Sequence, residues 1–251
     1  MATLWEKSID ENHYQVKNAG NTRRIYKNGV LHSQFNPTKL FTGSVWDLLS
    51  LPALFYPPEG IKRVLLLGVG GGTVIHQLPF MSNITRIVGI DLDKTQLMLA
   101  RKFFALKKSD RVKLHHAEAK TWLQNNKQQR FDMIIDDIFT EHEGEPVRAI
   151  ASDTAWMRLL LSRLDGKGIL VQNYADRNEL KKSAALTNTQ LFDVFQSRYR
   201  FTTEHYENNV AVFSRAQINA SELRQRLLDL QSDKITINRS TVSLKIRNIN
   251  V

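Results

Sequence analysis

The chain of 251 residues carries 35 lysines and arginines against 25 aspartates and glutamates, a formal net charge of +10, with 42% hydrophobic and 24% charged residues. That balance suits a globular chain of one large domain with an appendage, and no apolar run approaches the roughly 20 residues that span a bilayer. There is no cysteine, which excludes disulfides, thiolate zinc sites and a cysteine nucleophile.

The opening "MATLWEKSIDENHYQ" is charged within its first seven residues and has no apolar signal segment, so a cytoplasmic protein is expected. The positive charge leaves a nucleic-acid partner open. Lysines and arginines are spread thinly, however, and no zinc-finger, RNP-type or basic-helix pattern appears; a solvated basic surface is the simpler reading.

In chain order, "RRIYKNGVLHSQF" at 23–35 predicts two strands joined by Asn28-Gly29, the dipeptide suited to a type I′ turn. Residues 41–56 read as a helix that Pro52 should kink or split, and "PPEG" at 57–60 reads as a linker. Residues 1–60 are thus a β-rich leader. From residue 61 strands and helices alternate. "RVLLLG" is a continuous apolar run, as in a strand buried on both faces. It is followed by "RIVGID" (86–91), "VKLHHA" (112–117), "FDMIID" (131–136) and "GILVQN" (168–173). Helices are expected at 73–80, 94–106, 118–127 and 152–163. This alternation implies βαβ units and an α/β, doubly wound parallel sheet. A helix at 187–198 and a hairpin-like pair in "FTTEHYENNVAVFSR" complete a second unit, 61–216. Residues 217–251 supply a helix at 219–231 and a polar, basic tail read as a loose arm.

Four of the chain's 12 glycines fall in residues 68–72, after the first buried strand. Ligands of such sheets bind outside the carboxyl ends of the strands at the topological switch point. Asp91 ends the next strand, where an acid can accept hydrogen bonds from both ribose hydroxyls. The sixth position of the loop is Thr73 rather than glycine, and no P-loop Lys-Ser/Thr follows. A loop that passes close without gripping phosphate suits a phosphate-free adenosyl ligand such as S-adenosylmethionine. Glu118 can accept from an adenine amino group or simply stabilise its helix dipole.

Asp137, in the pair Asp136-Asp137 after a buried strand, can accept a proton from an amine or hydroxyl or orient it; the competing reading is a turn cap. "TEHEGEPV" (140–147) reads as a flexible lid. His115 and His116 straddle a strand, so one is expected buried; neither has metal-ligand spacing. Tyr174 reads equally as core or pocket wall.

"RVLLLGVGGGTVIHQL", "IVGIDLDKTQLMLARKFF", "DRVKLHHAEAKTWL" and "FDMIIDDIF" resemble, in order and spacing, the cofactor motifs of spermidine synthases (polyamine aminopropyltransferases) and their methyltransferase-like relatives. "RRIYKNGVLHSQFNP" resembles that family's N-terminal hairpin. The resemblance implies a Rossmann-like methyltransferase sheet with a small N-terminal β-hairpin domain, binding S-adenosylmethionine or its decarboxylated form. The residues expected at the cofactor are Gly68, Gly70, Gly71, Gly72, Asp91, Leu92, Glu118 and Asp136. Asp137 is expected to be catalytic, and no metal is expected. His32 stands where the family has a cofactor-facing glutamine.

Three family motifs depart, each losing a carboxylate. Gly71 replaces a loop aspartate that faces the aminopropyl end of the cofactor. Ser44 and Trp46 replace a Tyr-x-Glu polyamine contact. After Asp137, Ile138-Phe139-Thr140 replaces Ser-Ser-Asp. Burying ammonium groups without carboxylates costs several kcal/mol each. The expectation is therefore a methyltransferase acting on an amine or hydroxyl of a small molecule. A polyamine aminopropyltransferase is the alternative, and a non-catalytic nucleotide- or nucleic-acid-binding protein the second. A homodimer stays open.

Overall fold

The computed structural model describes residues 1–230 and 244–249. Its first 35 residues form a four-stranded antiparallel sheet: β1 (Ala2–Ile9), β2 (Asn12–Ala19), β3 (Thr22–Lys27) and β4 (Val30–Phe35). The leader therefore holds twice the strands expected. Asn28 and Gly29 both have positive φ, at 49° and 83°, as a type I′ turn requires. Alternation buries Tyr14, Val16 and Ile25, and these pack on Leu99 and Phe104 of the main body.

Residues 41–56 split as Pro52 demands, into α1 (Val45–Ser50) and a 3-10 turn, Leu51–Phe55, that carries the proline in its first turn. Both pack in the same core as the central strands.

The main body alternates β5 (Arg63–Leu67), α2 (Thr73–Gln77), β6 (Arg86–Asp91), α3 (Lys94–Phe103), β7 (Val112–His116), α4 (Ala119–Asn125) and β8 (Phe131–Asp136). A small hairpin follows, β9 (Phe139–His142) and β10 (Glu145–Arg148), then α5 (Thr154–Leu161) and the long β11 (Leu164–Tyr174). Three short helices follow, α6 (Arg177–Lys182), α7 (Ala184–Thr187) and α8 (Thr189–Asp193); of the single helix expected at 187–198 only α8 forms, and a strand begins at Ser197. The chain ends with β12 (Ser197–Thr202), β13 (Asn209–Ser214), α9 (Ala220–Asp229) and β14 (Lys245–Asn248).

The eight-stranded sheet has the order β14-β12-β13-β11-β8-β5-β6-β7. β11, β8, β5, β6 and β7 are parallel, and β13, β12 and β14 add antiparallel. The chain builds outward from β5 to β7 and then crosses to β8 on the other side of β5. The switch point therefore lies between β5 and β8. The tail expected as a loose arm contributes β14 to the sheet edge; residues 231–243, the rest of that arm's start, lie outside the described residues. The segment expected as a flexible lid is the ordered β9–β10 hairpin.

Candidate functional site

At the switch point the carboxyl ends of β5, β6, β8 and β11 open into a cavity of about 1070 Å³, roofed by the N-terminal sheet and the β9–β10 hairpin. Gly68 follows β5 with φ +85°, and a Cβ there would lie 2.1 Å from the Asp137 carbonyl oxygen. Only glycine fits. Gly70, at φ +53°, would place a Cβ 2.9 Å from the His32 carbonyl oxygen. Both glycines line the cavity.

Gly71 and Gly72 do not. A Cβ on Gly71 would meet Ser33 and Phe104, and one on Gly72 would meet Leu106, so these two let the loop pack on the leader and the residues after α3. Their expected cavity-facing position is corrected accordingly.

Asp91, the last residue of β6, lines the cavity. Its Oδ2 accepts from the backbone N–H of Val69 (2.9 Å) and Gly70 (3.1 Å), and its Oδ1 from that of Asp93 (2.8 Å). Burial pushes its carboxyl above the ordinary range against these donors. One carboxylate thus braces the glycine loop and keeps lone pairs for a ligand. Leu92 beside it is 69% exposed and forms an apolar wall.

Asp93 caps α3 by accepting from Thr95 and Gln96 through Oδ1. Its Oδ2 accepts from Tyr14 Oη (2.8 Å) and Lys27 Nζ (2.9 Å), tying the leader sheet to the cavity floor. Glu118 caps α4 through Lys120 and Thr121 and also lines the cavity. Partial burial pushes its carboxyl up, but those donors outweigh it and hold the group below its ordinary value.

Asp136, the last residue of β8, and Asp137, the next in the chain, part company, as successive side chains of a strand must. Asp137 faces the cavity, with its N–H donating to the Leu67 carbonyl (2.8 Å) and its Oδ1 accepting from Asn173 Nδ2 (2.8 Å). Burial, reinforced by the neighbouring Asp136 charge, pushes its carboxyl up to about 7 despite Asn173 and Arg148. Asp136 faces the other side of the sheet and is wholly buried. Its Oδ2 accepts from Arg148 Nη2 (2.8 Å), Trp156 Nε1 (2.8 Å) and Gln172 Nε2 (2.9 Å). The expectation that Asp136 contacts a cofactor is corrected: those partners fill the core beneath the cavity.

His32 lines the cavity, its Nδ1 lies 3.4 Å from Gln96 Nε2, and its Nε2 is buried without a partner. Burial and the Lys27 charge pull its pKa down to about 4, so the ring is neutral at pH 7. His115 and His116 are both exposed, because β7 is the sheet edge, so neither is the buried histidine expected. Tyr174 is core, hydrogen-bonded to Ser152 and Gln172. Trp46 lines the cavity, whereas Ser44 is buried at the cap of α1. Asp93, Gln96 and Asn173 also line the cavity, and none of them was among the residues expected there. Asp93-x-x-Gln96 before an apolar run is a capping pattern, and Asn173 is a polar residue closing an apolar strand.

The chain matches the spermine/spermidine synthase domain over residues 47–225. It is 22% identical over 202 residues to the polyamine aminopropyltransferase of Vibrio vulnificus (strain CMCP6), covering 80% of this chain and 64% of that protein. The chain therefore spans just under two thirds of that relative's length. Among solved structures, a probable spermidine synthase from Corynebacterium glutamicum ATCC 13032 superposes with a TM-score of 0.73 at 17% identity, covering 99% of this chain and 91% of the other. A spermidine synthase in complex with the transition state analogue AdoDATO gives 0.69 at 12% identity, covering 96% and 82%. At these identities the structural likeness is one of fold.

Proposed function

The chain belongs to the spermine/spermidine synthase family, and from that premise we propose that its cleft transfers an aminopropyl group from decarboxylated S-adenosylmethionine to an amine. One observation carries the reading. In a chain of net charge +10, the cavity wall holds six carboxylates, Asp10, Asp91, Asp93, Glu118, Asp137 and Glu141, against two lysines, Lys27 and Lys94. A wall of that sign concentrates cations and opposes anions. Both partners of aminopropyl transfer are cationic.

The donor set also fits the nucleoside half of such a molecule. Asp91 has lone pairs for ribose hydroxyls, Leu92 offers an apolar face, and Glu118 can accept from an amino group. Gly70 leaves the close approach that a Cβ would fill. When bound, decarboxylated S-adenosylmethionine would supply a sulfonium that activates its aminopropyl carbon: the new bond from the amine nitrogen would replace the carbon–sulfur bond, whose electron pair would leave with sulfur as a neutral thioether.

The protein's own part is proton handling and positioning. An acceptor ammonium must lose a proton before its lone pair can react, and Asp137, with a pKa of about 7, is matched to take it near neutral pH. Asn173 holds that carboxylate in place. The cavity's other acids, Glu141 on β9 among them, can pair the acceptor's remaining ammonium groups.

The expectation of methyl transfer gives way to this reading, because the family match and the named relatives support aminopropyl transfer while methyl transfer has the shared fold alone. Of the three places where family acids are lost, Gly71 lies outside the cavity wall while Trp46 and Thr140 line it, so pairing the acceptor falls to the carboxylates that remain there, Glu141 and Asp10 among them. Calorimetric titration tests the proposal. The decarboxylated donor should bind at least tenfold more tightly than S-adenosylmethionine, about 1.4 kcal/mol, because the latter adds a carboxylate to an acidic cleft. Tighter binding of S-adenosylmethionine would return the site to methyl transfer.

A further inference from the structure

Arg148 ends the β9–β10 hairpin, which lines the cavity through Phe139, Thr140, Glu141, Gly144 and Pro146, yet its own side chain leaves the hairpin for the sheet and is 1% exposed. Its Nη2 donates to Asp136 Oδ2 at 2.8 Å, its Nη1 donates to the Asn173 carbonyl, and its guanidinium lies 5.3 Å from the Tyr174 ring centroid. Its Nε stands 3.8 Å from Glu179 at the start of α6. Asn173, held through its carbonyl, is the residue whose side-chain amide donates to Asp137, and its Oδ1 accepts from Asn208 (3.1 Å). Ala149 and Ile150, next in the chain, return to the cavity wall.

We infer that Arg148 is a positioning residue: it latches the β9–β10 hairpin over the ends of β8 and β11 and, through Asn173, fixes the Asp137 carboxylate in the cleft. Stability alone does not explain such a residue. A buried ion pair is commonly no better than apolar side chains of the same volume, and here Asp136 Oδ1 and Arg148 Nε are both left without hydrogen bonds. The arrangement does place a cation and its counter-charge immediately behind the reacting carboxylate. The groups that act on Asp137 are Asp136 on its own strand, Asp91 at the end of β6, Arg148 from the hairpin and the Asn173 amide from β11. The two carboxylates disfavour its ionised form, and the guanidinium and amide favour it.

The inference rests on Asp137 being the base, and its test uses neither donor nor acceptor. Carboxyl 13C NMR titration of Asp137, assigned with Asp137→Asn, is run on the parent, Asp136→Asn, and Asp136→Asn/Arg148→Met. The double variant leaves no lone buried charge, so it folds where either single variant need not. If Asp136→Asn, which among the described residues leaves Arg148 only the Glu179 carboxylate at 3.8 Å, does not fold, the double variant is compared with the parent instead: a midpoint near the parent's supports the inference, and one about a pH unit lower overturns it. Asp136→Asn should lower the Asp137 midpoint by about one pH unit, and adding Arg148→Met should raise it again by about as much. Arg148→Lys keeps the charge but loses the planar fork. Amide exchange over 139–148 should then quicken at least tenfold while the midpoint stays near the parent's. A midpoint equal in the single and double variants overturns the inference, even if the hairpin loosens, because Arg148 would then be structural only. Unchanged exchange in Arg148→Lys overturns the latch. Absent aminopropyl transfer with both effects present would count against the proposed reaction and leave the latch standing.

Discussion

Asp137→Asn turns the central electrostatic claim into a stability measurement. The carboxyl ordinarily titrates at 3.8, and in the folded chain it is pushed up to about 7, first by burial and then by Asp136. A rise of about three units disfavours the ionised form by about 4 kcal/mol at most, at about 1.36 kcal/mol per unit; solvent entering the cavity reduces this. Between about pH 4 and pH 7 the native state binds a proton that the unfolded state has released. The stabilising effect of this group is therefore complete below about pH 4 and is lost as pH rises through about 7. Asp137→Asn cannot ionise and escapes that loss. In urea melts the variant should match the parent near pH 4, within about 1 kcal/mol, and gain steadily to about 2–4 kcal/mol by pH 8. Asp47, pushed up to about 6 by burial, contributes a slope of the same sign, but it is present in both proteins and cancels in the difference. A difference that does not change with pH would refute the reasoning, since an Asp137 with an ordinary pKa gives no such slope.

Asp91→Ala removes the acceptor for Val69 and Gly70, so donor affinity measured by calorimetry should fall more than tenfold and stability by about 1–3 kcal/mol. Gly68→Ala should lower stability by about 2–4 kcal/mol, because it forces a Cβ into the Asp137 carbonyl at positive φ; thermal melts read it, and a neutral substitution would contradict the packing. Asp93→Ala removes the α3 cap and the Tyr14 and Lys27 partners, at about 2–3 kcal/mol in urea melts. Asp93→Asn should cost less than half of that, since it keeps the cap.

The parallel strands were legible because burial on both faces leaves no alternative to continuous apolar runs such as "VLLL", and the Asn28-Gly29 turn because few dipeptides accept two positive φ angles. Glu143-Gly144, at φ 53° and 81°, makes the same kind of turn between β9 and β10. A glutamate at the first place masked it, and the segment read as a lid. The first hairpin was hidden for a related reason: β1 is exposed along most of its length, so its charged sequence carries no alternation. In the site, Asp91, Glu118 and Asp137 could be placed from strand ends alone. Asp136 could not, because a strand buried on both faces gives no sequence signal for which face its last residue takes. Arg148 lies 12 residues from its partner Asp136 and Asn173 lies 36 from its partner Asp137, and only the crossover from β8 to β11 brings them together.

Aminopropyl transfer in an acidic cleft is read out most directly by mass analysis of the products. The purified chain is incubated with decarboxylated S-adenosylmethionine or S-adenosylmethionine and a panel of linear aliphatic di- and triamines. Amines bearing an added aminopropyl group are expected from the first donor only, with turnover rising through about pH 7 and lost in Asp137→Asn. Methylated amines from the second donor, with none extended from the first, would contradict aminopropyl transfer.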